Sequence, residues 1–105
     1  MSVNEWSDAT AMAEAVRNKT VSPRELVKDT ISEAERTNTK INAIVSQRYE
    51  KALEEAETRD FSDKPFAGVP IFLKDLGQEQ AGEPSTAGSR LFTSYRAKET
   101  DNYVK

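Results

Sequence analysis

The apolar positions near the start of the chain recur at the spacing of one helical face. The stripe consists of Met12, Ala15 and Val16. Asp8 precedes it and can cap the first turn, so the pattern predicts a helix from Asp8 or Thr10 to Asn18. Trp6 lies ahead of this helix, where we expect it to pack back against the stripe.

A second helix is predicted to begin at Ser22. Serine is a favoured cap, Pro23 fits the first helical turn, and Glu25 follows three residues after the cap, as in a capping box. The pattern predicts that this helix ends near Thr37. Its buried stripe is expected to comprise Leu26, Val27, Thr30, Ile31 and Ala34.

The pattern changes after the second helix. Residues 41–46 read INAIVS, which predicts a short strand because small and β-prone residues dominate. From Gln47 to Arg59 apolar and charged residues again separate onto two faces, which predicts a solvated amphipathic helix. Residues 60–65 read DFSDKP and are typical of a turn-rich connector.

Residues 69–74 read VPIFLK and predict a strand. Both faces of such a strand are apolar, as in an inner strand of a sheet that helices cover on both sides. Pro70 donates no ladder hydrogen bond and therefore belongs at the beginning of the strand or at an edge. The predicted fold class is α/β, with N-terminal helices followed by the first strands of a mixed sheet.

The remainder of the chain is predicted to be a loop followed by short elements. Glycine, proline, serine and threonine dominate from Gly77 to Ser89, and residues 90–92 can open a short helix or an extended segment. Thr100 and Asp101 can cap a helix of which residues 102–105 would form the first turn. Chains rarely stop where a helix starts, so we expect Lys105 to mark a cut.

Charge and hydropathy narrow the classes of partner. Fifteen Lys plus Arg against eighteen Asp plus Glu give a net charge of -3, with both signs interspersed, which argues against a nucleic-acid partner. The longest apolar run is far shorter than the ~20 residues of a membrane span. The N-terminus also lacks the layout of a signal peptide. We expect a soluble cytoplasmic protein without a membrane partner.

The chain contains no cysteine and no histidine. This excludes disulfides, thiolate nucleophiles, a Ser-His-Asp triad built from this chain, and metal sites with cysteine or histidine ligands. Proton transfer must then fall to lysine, tyrosine or a carboxylate. We expect no metal and no cofactor.

Lys74 closes the predicted strand, at the place where open α/β sheets bind their ligands. An amine is a base only in its neutral form, which burial beside apolar residues favours. The alternative, which the pattern alone favours, is that Lys74 extends from the strand end into solvent. Asp75 would point to the opposite face, so it need not pair with Lys74 and can anchor the following loop.

The loop after Lys74 offers two weaker interpretations. Ser85 or Ser89 could serve as a nucleophile for Lys74, but their spacing does not fix such geometry and loop serines are mostly turn residues. A phosphate-binding loop would need the glycine spacing and the Lys-Ser/Thr ending of a P-loop, which residues 83–89 lack.

Several motifs together resemble the amidase-signature family. Residues 66–75 read FAGVPIFLKD, residues 85–89 read STAGS, and Tyr95 and Asp101 are separated by five residues. Upstream, residues 21–27 and 41–45 resemble the second helix of that family and the short segment after it. The resemblance covers most of the chain, in order and with near-family spacing.

The resemblance implies a Ser-cisSer-Lys amide hydrolase in which Lys74 is catalytic. A lysine at this position takes the proton of a nucleophilic serine through a bridging serine, and the nucleophile attacks the carbonyl of a small-molecule amide to form an acyl-enzyme. The Gly-Ser-rich segment that supplies both serines is missing from these 105 residues. We expect residues 1–60 to be a helical arm, residues 61–105 the incomplete start of the α/β core, and the fragment alone to be inactive.

Two alternatives remain. Residues 74–78 read KDLGQ and differ from the Lys-Asp-Asn typical of the A subunit of glutamine-dependent tRNA amidotransferases, which favours general amidases and cyclic-amide or oligoamide hydrolases without excluding the amidotransferase. Alternatively, the apolar stripes of the first two helices could make the chain a non-catalytic oligomerisation module, with a homodimer as the simplest product.

Overall fold

The computed structural model describes residues 7–105, in which three α-helices and one short 3-10 helix are joined by irregular segments. The first helix, α1, spans Ala9–Arg17. The Asp8 carboxylate accepts a hydrogen bond from the Ala11 N–H at 2.8 Å, which confirms the predicted cap. Trp6, predicted to pack against this helix, lies outside the described residues.

The second helix, α2, spans Pro23–Ile41. Ser22 Oγ accepts a hydrogen bond from the Glu25 N–H at 3.1 Å, so the predicted start is confirmed. The predicted end near Thr37 is wrong, because the helix continues for another turn. It stops at Asn42, whose φ of 48° is left-handed, a conformation that asparagine tolerates better than most residues.

The predicted strand over residues 41–46 is also wrong. Ile41 is the last residue of α2, and residues 42–48 have no regular structure. The Asn38 side chain accepts a hydrogen bond from the Ile44 N–H at 2.8 Å and donates one to the Ile44 carbonyl oxygen at 3.3 Å. One side-chain amide therefore satisfies both backbone groups of Ile44, which a neighbouring strand would otherwise have to pair.

The third helix, α3, spans Tyr49–Thr58 and confirms the predicted amphipathic helix. It packs against α2, and Arg24 at the start of α2 forms an ion pair with Glu57 at the end of α3, at 2.6 Å. The core is small, with Leu26 the most buried of its larger side chains at 2% exposure. Its other buried members in this part of the chain are Ala13, Ala15, Val27, Ala34 and Ala67.

The first strand predicted for the α/β core does not form within the described residues. Residues 69–74 lack regular structure, and the one β-bridge among residues 7–105 joins Pro84 to Arg96. Ile71 and Phe72 are 69% and 57% exposed. A strand exists through its ladder hydrogen bonds, and this segment makes none with the described residues. The described chain is thus helical, and its sheet remains a prediction.

The chain divides into two compact units, of which the first ends at Pro70 and the second comprises Ile71–Lys105. The helices α1 to α3 belong to the first unit, and the 3-10 helix Arg90–Phe92 belongs to the second. This short helix confirms one of the two forms expected for residues 90–92. None of the helices within residues 7–105 combines the length and apolarity needed to cross a membrane.

Gly68 allows the end of the first unit to approach the helices closely. Its φ is +80°, and a Cβ at this position would lie 2.9 Å from Pro23 Cγ and 3.3 Å from Val16 Cγ1. The proline ring cannot rotate away, so a side chain at residue 68 would force the backbone to move. Gly82 has nearly the same φ, +82°, with nothing near the corresponding Cβ.

We predict that Gly68→Ala destabilises the chain more than Gly82→Ala does. Both substitutions place a Cβ on a left-handed residue, which costs ~1 kcal/mol. Gly68→Ala adds overpacking against Pro23, which costs about 1–3 kcal/mol more. Urea unfolding of both variants measures the difference, and equal losses of stability would contradict the close contact at Gly68.

Candidate functional site

Lys74 lies at the beginning of the second unit with its side chain exposed to solvent. Its backbone N–H donates a hydrogen bond to Gln78 Oε1 at 2.9 Å. The intervening turn includes Gly77, whose φ of 77° is left-handed and favours glycine. The main chain at Lys74 is therefore held by the turn that follows it, while no described residue forms a hydrogen bond or ion pair with its amine nitrogen.

Asp75 anchors the loop that follows, as the sequence predicted. Its Oδ1 accepts a hydrogen bond from the Thr86 N–H at 2.7 Å, and its Oδ2 accepts one from the Thr86 hydroxyl. Its backbone carbonyl oxygen accepts a third from the Ala87 N–H at 2.9 Å. The Thr86 hydroxyl lowers the pKa of the Asp75 carboxyl most, and the N–H groups of Thr86 and Gly88 lower this pKa further. Asp75 is committed to the loop and makes no ion pair with Lys74.

Tyr95 and Asp101, the pair singled out by its spacing, both contact Glu79. The Tyr95 hydroxyl donates to the Glu79 carboxylate at 3.2 Å, and the Glu79 N–H donates to Asp101 Oδ2 at 2.8 Å. Partial burial raises the pKa of the Tyr95 phenol, and the negative charge of Glu79 raises this pKa further. The phenol therefore stays protonated and can keep donating to Glu79. The two residues serve to fix the segment that begins at residue 79.

The segments around residues 79–84 and 96–101 run beside each other. The Gly82 N–H donates to the Ala97 carbonyl oxygen at 2.8 Å, and the Ala97 N–H donates to the Glu83 carbonyl oxygen at 3.0 Å. The Thr100 hydroxyl accepts a hydrogen bond from the Ala81 N–H at 3.1 Å. Ala97 is buried at 4% exposure between these segments. This pairing joins two distant segments of the second unit.

A cavity with a volume of about 250 Å³ lies within the second unit. Its walls include Leu76, Phe92 and Tyr95, with Glu79 and Ser85 as polar members. Lys74 is not among the lining residues. The cavity therefore places a carboxylate and a serine near apolar side chains but does not join either to Lys74.

The two serines considered as nucleophiles do not meet Lys74. Ser89 Oγ accepts a hydrogen bond from the Leu91 N–H at 3.2 Å and so caps the 3-10 helix. Ser85 lines the cavity. Neither is hydrogen-bonded to Lys74, so the structure supports the view that both serve the loop. Within residues 7–105, no three acidic, histidine or cysteine side chains lie close enough together to hold a metal ion.

Sequence reasoning missed the roles of three residues in this unit. Gln78, Glu79 and Thr86 each bind a backbone or side-chain group of a residue that the motifs had identified. Thr86 lies within the STAGS motif, which singled out that stretch without showing its partner. The sequence carries no signal of the contacts made by Gln78 and Glu79, because the turns between each residue and its partner decide which groups meet.

Comparison with known proteins identifies the family. A family model described as Amidase matches residues 25–105, and the motifs and contacts around Lys74 fall within this range. The chain belongs to the amidase family. The resemblance to amidase-signature enzymes is thereby confirmed.

Individual relatives share this region. A lipoamidase of Enterococcus faecalis is 39% identical over 103 residues, which cover 96% of this chain and 14% of the relative. A 6-aminohexanoate-cyclic-dimer hydrolase of Paenarthrobacter ureafaciens is 38% identical over 105 residues, which cover 98% of this chain and 21% of the relative. The A subunit of a glutamyl-tRNA(Gln) amidotransferase of Nitratidesulfovibrio vulgaris is 34% identical over 89 residues, covering 81% of this chain and 18% of the relative.

A solved structure shows the same fold in a longer protein. The structure of a 6-aminohexanoate cyclic dimer hydrolase complexed with substrate matches with a TM-score of 0.86 at 38% identity. The match covers 97% of this chain and 21% of that chain. The chain thus spans about a fifth of the length of that enzyme.

We predict that Thr86→Val reduces the stability of the chain at neutral pH but not at strongly acidic pH. Because the folded-state pKa of Asp75 is lowered, its contacts stabilise the chain above the ordinary carboxyl range, about pH 4. That contribution is lost as the pH falls through the lowered pKa. Removing the hydroxyl should cost ~1 kcal/mol at neutral pH, after allowance for solvent exposure.

Thr93→Val is the matched control, because the Thr93 hydroxyl donates to the backbone carbonyl oxygen of Arg90 at 2.7 Å and to no carboxylate. Its effect should be the same at both pH values. Urea unfolding at neutral pH and near pH 2 measures both variants. If Thr86→Val remained equally destabilising at low pH, the hydrogen bond to the ionised carboxylate would not be the cause.

Proposed function

We propose that this chain is the N-terminal part of an amide hydrolase in which Lys74 acts as the proton acceptor. Family membership and the FAGVPIFLKD motif that ends with Lys74 and Asp75 support this proposal. The observation that carries it is the arrangement at Lys74: its backbone is fixed by Gln78, while its side chain is exposed and engaged by no described residue. A general base needs a backbone that is held in place and a nitrogen that can accept a proton.

In the proposed reaction, the neutral amine of Lys74 takes a proton from a bridging serine, which takes the proton of a nucleophilic serine. The nucleophile attacks the amide carbonyl, the C–N bond breaks, and the nitrogen leaves as ammonia or an amine after receiving a proton. Water then cleaves the resulting ester and releases the acid. Both serines would come from a Gly-Ser-rich segment that is absent from these 105 residues, so the fragment alone should be inactive.

This role requires that Lys74 be neutral, and the described residues leave it exposed. Ile71 and Phe72, in the segment that leads to Lys74, are also largely exposed. In the proposed complete enzyme, an apolar cover over this segment would remove both apolar side chains and the amine from water. Such burial disfavours the charged form of a lysine.

The substrate class we propose is a small carboxylic amide, linear or cyclic. The names of two relatives support it, since one is a lipoamidase and the other hydrolyses a cyclic dimer of 6-aminohexanoate. We further propose that residues 1–60 serve the enzyme as a helical arm and that residues 61–105 begin its core. The expected homodimer stays a prediction.

The A subunit of a glutamine-dependent tRNA amidotransferase is the second candidate. The relative from Nitratidesulfovibrio vulgaris supports it. Against it, residue 76 is leucine, where the Lys-Asp-Asn pattern typical of that branch places asparagine. Co-purification with partner proteins, together with glutamine-dependent amidation of a charged tRNA, would favour this candidate over an independent amidase.

We predict that Lys74→Ala abolishes amide hydrolysis in the complete enzyme. Loss of a general base typically lowers kcat by 10²–10⁴-fold. Within the described residues the Lys74 amine makes no hydrogen bond or ion pair whose loss would destabilise the chain. Lys98→Ala removes another exposed lysine of the same unit and should leave kcat unchanged.

Three signals measure the activity: ammonia released from lipoamide, the primary amine that forms when the ring of the 6-aminohexanoate cyclic dimer opens, and the aniline released from a chromogenic anilide. Circular dichroism confirms folding. Near-normal turnover by Lys74→Ala would show that Lys74 is not the general base. Equal losses in Lys74→Ala and Lys98→Ala would show that general surface charge, and not a base at residue 74, is responsible.

A further inference from the structure

The main chain beside the Lys74 Cα is held upstream by a side chain and downstream through Asp75, by residues that have no part in the proposed reaction. On the upstream side, Gln78 Oε1 accepts the Lys74 N–H at 2.9 Å. On the downstream side, Thr86 donates its N–H and its hydroxyl to the carboxylate of Asp75, and the Ala87 N–H donates to the Asp75 carbonyl oxygen at 2.9 Å. These contacts bracket a single residue.

The residues that hold the main chain before and after Lys74 come from different parts of the second unit. Gln78 belongs to the turn directly after Lys74, whereas Thr86 lies in a loop eleven residues beyond Asp75. That loop contains Ala87 and Gly88 at φ of 50° and 70°, both left-handed, which turns successive N–H groups towards Asp75. The loop thus directs the N–H groups of Thr86 and Ala87 to Asp75.

We propose that Gln78 and Thr86 are positioning residues that hold Lys74 where its amine can accept a proton from a serine. The proposal rests on the proposed function, because it assumes that Lys74 is the base. Neither residue is expected to touch the substrate or the reacting atoms. Both act by fixing the backbone from which the lysine side chain extends.

The reason to expect an effect on catalysis is geometric. A lysine carries its nitrogen at the end of four methylene groups, and no described residue holds that nitrogen in place. Proton transfer needs a donor–acceptor distance of ~2.6–3.2 Å, and a displacement of about 1 Å can cost ~10²-fold in rate. A single lost hydrogen bond lowers stability only modestly. Loss of the hydrogen bonds of Gln78 or Thr86 should therefore reduce kcat far more than it reduces the folded fraction.

The test compares two disruptive variants with two matched controls in the complete enzyme. Gln78→Met removes the acceptor for the Lys74 N–H, and Gln80→Met makes the same change at a half-buried glutamine whose side chain forms no hydrogen bond with a described residue. Thr86→Val removes the hydroxyl, and Thr86→Ser retains it. The substrate is whichever of the three amide probes the wild-type enzyme hydrolyses.

We expect kcat to fall by about tenfold to a hundredfold in Gln78→Met and Thr86→Val, with KM within about twofold of wild type. Gln80→Met and Thr86→Ser should retain kcat within about threefold. Circular dichroism and urea unfolding of the same samples measure the folded fraction, which should equal that of the wild type in all four variants. A role in folding alone would instead reduce the folded fraction in proportion to kcat, and that result would overturn the proposal.

The design separates this proposal from the one on which it rests. If Lys74→Ala were inactive but Gln78→Met and Thr86→Val matched the wild type, the positioning role would be wrong and the proposed base would stand. If Lys74→Ala remained active, the proposed base would be wrong and the positioning role would fall with it. A loss of kcat in Thr86→Ser as large as in Thr86→Val would also contradict the role given to the hydroxyl.

Discussion

The hydrogen bonds that the Asp75 carboxylate accepts from Thr86 are the interaction on which the second unit depends. This unit has no α-helix and no β-ladder within the described residues, so its backbone groups must find other partners. Side chains supply several of them: Gln78 binds the N–H of Lys74, Thr100 that of Ala81, and Asp101 that of Glu79. Asp75 differs because three hydrogen bonds join it to one loop: its carboxylate accepts the N–H and the hydroxyl of Thr86, and its carbonyl oxygen accepts the Ala87 N–H.

The first unit reaches stability by a different route. Its helices are set by caps at Asp8 and Ser22 and by a small core in which most members are alanines. Small side chains allow close approach, and Gly68 extends this packing to the segment that follows α3. The core buries few large side chains, so close contacts and caps contribute a large share of its stability.

Prediction succeeded where the signal was local. The caps at Asp8 and Ser22 and the two faces of α3 depend on residues within one or two turns, and all were confirmed. It failed where a distant or unexpected partner decides the outcome. At residues 41–46 the Asn38 side chain binds both backbone groups of Ile44, and residues 69–74 make no ladder hydrogen bonds with the described residues. β-prone residues favour strands only when another backbone lies alongside them.

At the candidate site, too, the sequence indicated which residues matter but not their distant partners. The anchoring role of Asp75 was predicted from the alternation of a strand that does not form, and its partner eleven residues away could not be read from spacing. The family resemblance singled out Lys74 near the end of the FAGVPIFLKD motif, and the structure shows how its main chain is held.

A crystal structure of the complete enzyme would test the central claim most directly, by giving the distance from Lys74 Nζ to the nearest serine Oγ. If Lys74 is the proton acceptor, its Nζ lies ~2.6–3.2 Å from a bridging serine that itself contacts the nucleophilic serine. A Lys74 side chain that pointed into solvent, or that was paired with a carboxylate and remote from any serine, would contradict this role.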